Sequence, residues 1–143
     1  MPTISKELQT NNLRAGAVLL YLDFVFPGDE VSSPKWIIIL SDNLLEEEIF
    51  FVLTTSQIGT YSGSRRSYIL VTKEDEQCFE KDCIIEIEQI YPININTILT
   101  KYNTHRIIHK DFISGKLQKQ IFDKIAECST IPDYIKDVLG VYD

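Results

Sequence analysis

The sequence predicts a mainly β chain with C-terminal helices, an α+β fold built on an antiparallel meander or small barrel. Three observations carry this reading. Up to residue 90, about five apolar runs of strand length are separated by turn-forming segments, with no long helical period between them. After Pro92 the pattern changes, and from Ser114 onward apolar side chains recur at helical spacing. With 143 residues, 44% of them hydrophobic and 24% charged, the chain matches a single domain with a substantial core. We divide it into an arm (1–13), a β part (14–109) and a helical part (114–140).

Residues 1–13 are polar and aperiodic, as in a loosely held arm. The first strand begins near Arg14. From Ala17 to Phe26, Val18, Leu20, Leu22, Phe24 and Phe26 alternate with Ala17, Leu19, Tyr21, Asp23 and Val25. Both faces are largely apolar, so this strand is expected to be buried on two sides or to curl into a barrel, with Gly16 permitting a tight entry. Pro27 to Pro34 is a loop. Trp36 to Leu40 is a β-branched strand, Asp42-Asn43 a turn, and Glu46-Glu47-Glu48 an exposed connection into Ile49 to Thr55. The loop of Gly59, Ser62, Gly63 and Ser64 leads through Arg65-Arg66 into Ser67 to Thr72. Lys73 to Asp82 is polar and charged.

In Cys83 to Ile90, Ile85, Ile87 and Gln89 fall on one face and Ile84, Glu86, Glu88 and Ile90 on the other. Asn94 to Tyr102 is ambiguous, with a short helical turn as one reading, and Thr104 to His109 reads as a sixth short strand. Ser114 is suited to cap a helix in which Leu117, Ile121 and Ile125 recur every four residues, with Phe122 and Ala126 beside them. Lys116, Gln118, Lys119, Asp123 and Glu127 form its polar face. Ser129 to Pro132 ends this helix and starts another, since proline suits a first helical turn and Ser129 or Thr130 can cap. Tyr134, Ile135, Val138 and Leu139 give that helix its apolar side, and Gly140 suits its C-terminal cap.

Composition narrows the function. A net charge of −7, from 14 Lys+Arg against 21 Asp+Glu, argues against a broad nucleic-acid-binding surface. The charge is uneven, however. Between Thr100 and Lys124, six cations (Lys101, Arg106, Lys110, Lys116, Lys119, Lys124) face two anions (Asp111, Asp123), a balance of +4 that leaves −11 for the remainder. A local polyanion site and the solvated face of a helix and strand both fit. No apolar run approaches the roughly 20 residues of a membrane span, so no membrane association is expected. Residues 1–12 lack the basic start and apolar centre of a signal peptide, which favours a cytoplasmic location. Three cysteines, Cys78, Cys83 and Cys128, are too few and odd in number for a secreted scaffold and read as reduced buried thiols.

Two constellations invite chemistry but fit it poorly. Cys78-x4-Cys83 followed by His105-x3-His109 superficially resembles a zinc site, yet 21 residues and an entire strand separate the pairs. In a strand His105 and His109 share a face with Ile107, as ordinary structural histidines do. No local motif surrounds any cysteine to mark a Cys-His nucleophile, and no glycine-rich nucleotide motif occurs.

Two polar strand exits are more informative: Lys35-Trp36 leading into Ile37-Ile38-Ile39-Leu40-Ser41, and Leu53-Thr54-Thr55-Ser56-Gln57. With Ala15-Gly16-Ala17-Val18 opening the first strand, the loop at Pro27 to Pro34, and Gly115-Lys116-Leu117 before the long helix, the layout from residue 14 to 127 resembles the MazF/PemK-like toxin family of type II toxin-antitoxin systems. The resemblance implies a curled SH3-like β-barrel with C-terminal helices, a homodimer and a cognate antitoxin protein that fills the substrate groove. It implies an endoribonuclease that needs no metal or other cofactor and cleaves single-stranded RNA by attack of a ribose 2′-hydroxyl on its adjacent phosphate. Such chemistry requires proton transfer at the attacking and leaving oxygens, and cations or donors where charge builds on the phosphate.

By the same resemblance, Lys35 and Thr55 take the catalytic roles, and Ser56, Gln57, Arg65 and Arg66 the substrate-binding ones. Lysine stands where the family has arginine, and Trp36 where it has proline. Lysine is a point charge without arginine's two-point grip on phosphate, and Arg65 or Arg66 can supply a guanidinium or remain solvent-facing loop cations. A noncatalytic member of the fold, acting as a protein- or nucleic-acid-binding module, is therefore the second reading. A structural interaction protein with a coincidental barrel is a third.

Overall fold

The computed structural model describes residues 12–41, 47–60 and 67–141. Among them, six strands form one antiparallel sheet: β1 (Ala17–Phe24), β2 (Ser33–Ile39), β3 (Glu48–Thr55), β4 (Tyr68–Val71), β5 (Cys83–Asn94) and β6 (Ile107–Phe112). The sheet order is β4-β5-β3-β2-β1-β6, so it is open, with β4 and β6 at its edges. Three helices accompany it, α1 (Ile95–Asn103), α2 (Gly115–Glu127) and α3 (Asp133–Leu139). The architecture is mainly β with an α+β arrangement.

The two-sided apolar character of the strands has a direct cause: the sheet is buried on both faces. On one face, Val18, Ile38, Val52, Ile85 and Ile87 pack with Leu117, Ile121 and Ile125 of α2 and Ile135 of α3. On the other, Leu19, Tyr21, Ile37, Ile39, Phe51 and Leu53 pack with Ile98 of α1 and with Ile107. Central strands sandwiched in this way read as continuous apolar runs rather than alternating ones.

The assigned faces need correction in two strands. Phe24 lies on the Leu19 and Tyr21 face, not with Val18, because the β1–β2 pairing slips between Tyr21 and Phe24. Ile90 packs on the Ile85 and Ile87 face, not with Glu86 and Glu88, because β3–β5 shifts register between Val52 and Thr54. A residue inserted on one strand reverses the alternation beyond it and sharpens the local twist. A third shift lies between Val18 and Leu19 in the β1–β6 pairing.

Other boundaries differ by local chemistry. β5 runs on to Asn94, and the ambiguous stretch after it is α1, begun by the Asn94 side chain accepting from the Asn96 N–H at 2.8 Å. The sixth strand starts at Ile107, three residues later than expected, because His105 takes φ 60° and turns the chain out of α1. The Ser114 cap is as expected, its hydroxyl accepting from the Leu117 N–H at 3.1 Å. In α3, Pro132 itself is the cap residue, with no side-chain cap bond from Ser129 or Thr130. Gly140 ends α3 with φ 70°, a conformation costly for any residue with a Cβ.

Of the loose arm, residues 1–11 lie outside the described residues, but the last two are held. Leu13 is only 2% exposed, and the Asn12 amide donates to the Tyr102 hydroxyl at 2.8 Å. The polar 72–82 segment is also tied down. Buried Glu76 accepts from both the N–H and the hydroxyl of Ser114, at 2.8 and 2.6 Å, and so fastens the segment to the start of α2.

Candidate functional site at the end of the sheet

The sheet register brings the two polar exits together. Ile37 pairs with Leu53, and continuing that antiparallel register by two residues places Lys35 across from Thr55 on the same face. The two are 20 positions apart in the chain. A cleft of about 290 Å³ opens there, lined by Pro34, Lys35, Trp36, Thr54, Thr55, Ser56 and Gln57 together with Phe79, Glu80, Lys81 and Cys83.

Each side chain is placed by ordinary strand chemistry. Thr54 is buried, its hydroxyl donating to the Trp36 carbonyl at 3.2 Å, which bridges the β2 start to the β3 end. Thr55 is half-buried, and its hydroxyl accepts from the Gln57 N–H at 3.2 Å, closing the turn that carries the chain off β3. Ser56 and Gln57 are exposed at the rim. The Lys35 ammonium lies 5.3 Å from the centre of the Phe26 ring, within cation–π range. Its charge also reaches Glu86 on β5: burial pushes the Glu86 carboxyl above the usual carboxylate range, and Lys35 pulls it back.

The site thus offers two ammonium groups (Lys35 and Lys81), one carboxylate (Glu80), three hydroxyls and an amide around a partly apolar floor. Those groups suit an anion with donors at its rim. Four of the expected site residues, Lys35, Thr55, Ser56 and Gln57, line one cleft. Arg65 and Arg66 lie outside the described residues.

Neither a protein-family model nor any curated protein matches this chain. The chemistry of the site therefore rests on its own residues.

Phe79, Glu80, Lys81 and Cys83 were not expected at the site. Cys83 reaches it as the first residue of β5, and Phe79, Glu80 and Lys81 belong to the 72–82 segment, which Glu76 ties to Ser114. The signal was Phe79, a lone large apolar side chain in a polar stretch, which is only 6% exposed. Cys83 does not offer a nucleophile. Burial and the nearby Asp82 charge push its thiol up to about 11, whereas reactive cysteines have lowered values. Burial, with the charges of Glu76 and Asp111, pushes Cys78 up to about 12.

The histidines separate, contrary to the shared strand face expected. His105 is exposed in the left-handed turn before β6. His109 is on β6, its ring 4.7 Å from Phe112 and its Nε2 buried without a hydrogen-bond partner. Among the described residues no three His, Cys, Asp or Glu side chains group as metal ligands, and no helix is long and apolar enough to cross a membrane. Of the clustered cations, Lys101 pairs with Asp23 at 3.0 Å, Lys119 pairs with Asp123 at 2.8 Å, and Lys110 lies 5.9 Å from the Trp36 ring centre. They sit on α1, β6 and α2, and of these three Lys110 approaches a residue of the cleft lining, Trp36.

Proposed function

We propose that this chain is a MazF/PemK-like endoribonuclease of the toxin type. It cleaves single-stranded RNA by attack of a 2′-hydroxyl on the neighbouring phosphate, on an SH3-like barrel that works as a cytoplasmic homodimer restrained by an antitoxin. The observation that carries this reading is the meeting of Lys35 with Thr55, Ser56 and Gln57 around one cleft. An ammonium and hydroxyl donors there suit the oxygens on which negative charge develops during attack. Lys35 supplies the charge and Thr55 the hydroxyl; Ser56 and Gln57 hold the strand at the rim. The register shifts in β1 and β5 bend the sheet, which supports the curled barrel.

The test is incubation of the purified protein with a long single-stranded RNA in EDTA. Cleavage is expected, and Lys35→Ala or Thr55→Ala abolishes it. RNA left intact by the wild-type protein overturns the reading. Light scattering at micromolar concentration checks the dimer.

A second reading has its own support. The Thr55 hydroxyl is already engaged by the Gln57 N–H, and the phosphate-handling cation is lysine followed by tryptophan. A noncatalytic binding module on the same fold accommodates both, and it predicts RNA or protein binding through the cleft without cleavage.

A further inference from the structure

We propose that the groove along α1 that ends at Arg106 is a second phosphate-binding site, holding a single-stranded RNA that also occupies the Lys35 cleft; this rests on the reading above that the cleft takes such RNA. The groove has a volume of about 410 Å³ and is lined by Asn96, Thr97, Thr100, Lys101, Thr104 and Arg106. Every one of these side chains is polar and none is acidic. The helix sets them in a row: Asn96, Thr100 and Thr104 recur every four residues, with Thr97 and Lys101 beside them at the same interval. All but Lys101 are exposed.

Charge selects the ligand. Lys101 is committed, its ammonium pairing with Asp23 at 3.0 Å and lying 5.4 Å from the centre of the Tyr21 ring. The Thr104 hydroxyl is committed too, donating to the Thr100 carbonyl at 2.8 Å. Among the described residues, the Arg106 guanidinium, the Thr97 and Thr100 hydroxyls and the Asn96 side-chain amide have no partner. They are donors around one uncompensated positive charge, which suits the oxygens of a phosphate. A tight turn fixes the backbone at Arg106. His105 takes φ 60°, its N–H donates to the Tyr102 carbonyl at 3.2 Å, and the Arg106 N–H donates to the Lys101 carbonyl at 2.8 Å, the pair of bonds that closes a helix end.

The sheet sets this groove near the cleft. Tyr21 pairs with Lys35 on β2 and with Ile107 on β6, so Arg106, next to Ile107, is at the same end of the sheet as Lys35, two strands or about 10 Å away. Lys35 also shares the face of Ile37, on which α1 packs. An extended RNA with one phosphate at Lys35 therefore reaches the groove within a few nucleotides. Each phosphate neutralised releases counterions, so the second site adds its own share to the salt dependence of binding. The competing account is a solvated helix side, on which Arg106 matters no more than any other exposed cation.

The experiment uses 2′-O-methyl RNA, which has no attacking hydroxyl, as a dinucleotide with a single phosphate and as a strand of about twelve nucleotides. Trp36 is the single tryptophan and lines the cleft, so its fluorescence reports occupancy there, while anisotropy of labelled RNA follows the longer strand across a salt series. Arg106→Ala is expected to weaken the longer RNA about tenfold and to lower the slope of log K against log salt by about 0.7. The dinucleotide binds at Trp36 within about twofold of wild type. Lys116→Ala, an equal loss of charge at an exposed position of α2 on the opposite face of the sheet, changes neither. Arg106 is exposed, so its replacement holds the melting temperature within about 2 °C; if Arg106→Ala melts lower, Arg106→Gln, which keeps the side-chain stem, is read in the same way. Unchanged affinity and slope, an equal loss for both RNA lengths, or an equal loss in Lys116→Ala overturns the second site and leaves the RNA reading of the cleft intact. A wild-type protein that binds neither RNA overturns both.

Discussion

Lys35 sets the character of the cleft. A lysine stabilises an anion as a point charge, whereas arginine offers two parallel donors to phosphate. On the proposed ribonuclease function, Lys35→Arg is therefore expected to keep or raise the RNA cleavage rate, while Lys35→Ala lowers it by at least about 100-fold; single-turnover cleavage assays separate these outcomes. The cysteines lead to a second prediction. With Cys83 at about 11 and Cys78 at about 12, both thiols stay protonated at pH 8. Labelling by a thiol-disulfide reagent at pH 8 should be about two orders of magnitude slower than for an exposed cysteine. Unfolding in denaturant should release all three. Rapid labelling of the folded protein at position 78 or 83 would contradict the burial described.

At the scale of elements, the contact between Glu76 and Ser114 joins three local structures. It caps α2, holds the 72–82 segment and thereby builds one wall of the cleft. Ser114→Ala removes the cap bond and one partner of a buried carboxylate, which costs about 1–2 kcal/mol and lowers the melting temperature by roughly 3–6 °C. Glu76→Ala is expected to match or exceed that loss and also to weaken ligand binding at the cleft through Phe79 and Lys81. A thermal melt with a binding assay on both variants checks this. Much at this scale was legible in the sequence. The four-residue spacing of Leu117, Ile121 and Ile125 announced α2 and its buried face, and the β-branched runs announced β2 and β3. The faces of Phe24 and Ile90 were not legible, because the extra residues at a register shift, one in β1 and three in β5, carry no composition of their own. α1 stayed ambiguous because only Ile98 of its residues is buried, which leaves a faint helical period.

For the whole molecule, the double-faced core makes stability sensitive to charge placed near it. Burial lowers the His109 pKa, aided by Arg14 and opposed by Asp111. A base whose folded value lies below its unfolded one contributes stability above the unfolded value and loses it as pH falls toward the folded one. Folding stability should therefore decline as pH drops below about 6.5, and His109→Gln should flatten that part of the curve; urea melts at pH 7.5 and 5.5 measure both. The site was half legible from sequence. Thr55, Ser56 and Gln57 are neighbours in the chain, and Lys35 joins them through one register relation. The 72–82 wall depends on a hydrogen bond across 38 positions, and nothing local in the sequence marks such a bond.

The sheet order also governs how the chain is made. β1 has two partners, β2 just after it and β6 some ninety positions later. During synthesis from the N-terminus, β1 through β5 can assemble while the outer edge of β1 still has no mate. Until residues 107–112 leave the ribosome, that edge exposes unpaired backbone along one of the most apolar segments of the chain, which invites association with other nascent chains. Late closure of this kind slows folding. Ribosome-bound chains ending before residue 107 are therefore expected to need chaperone protection that chains ending after residue 113 do not, and pulldown of stalled chains of the two lengths measures the difference.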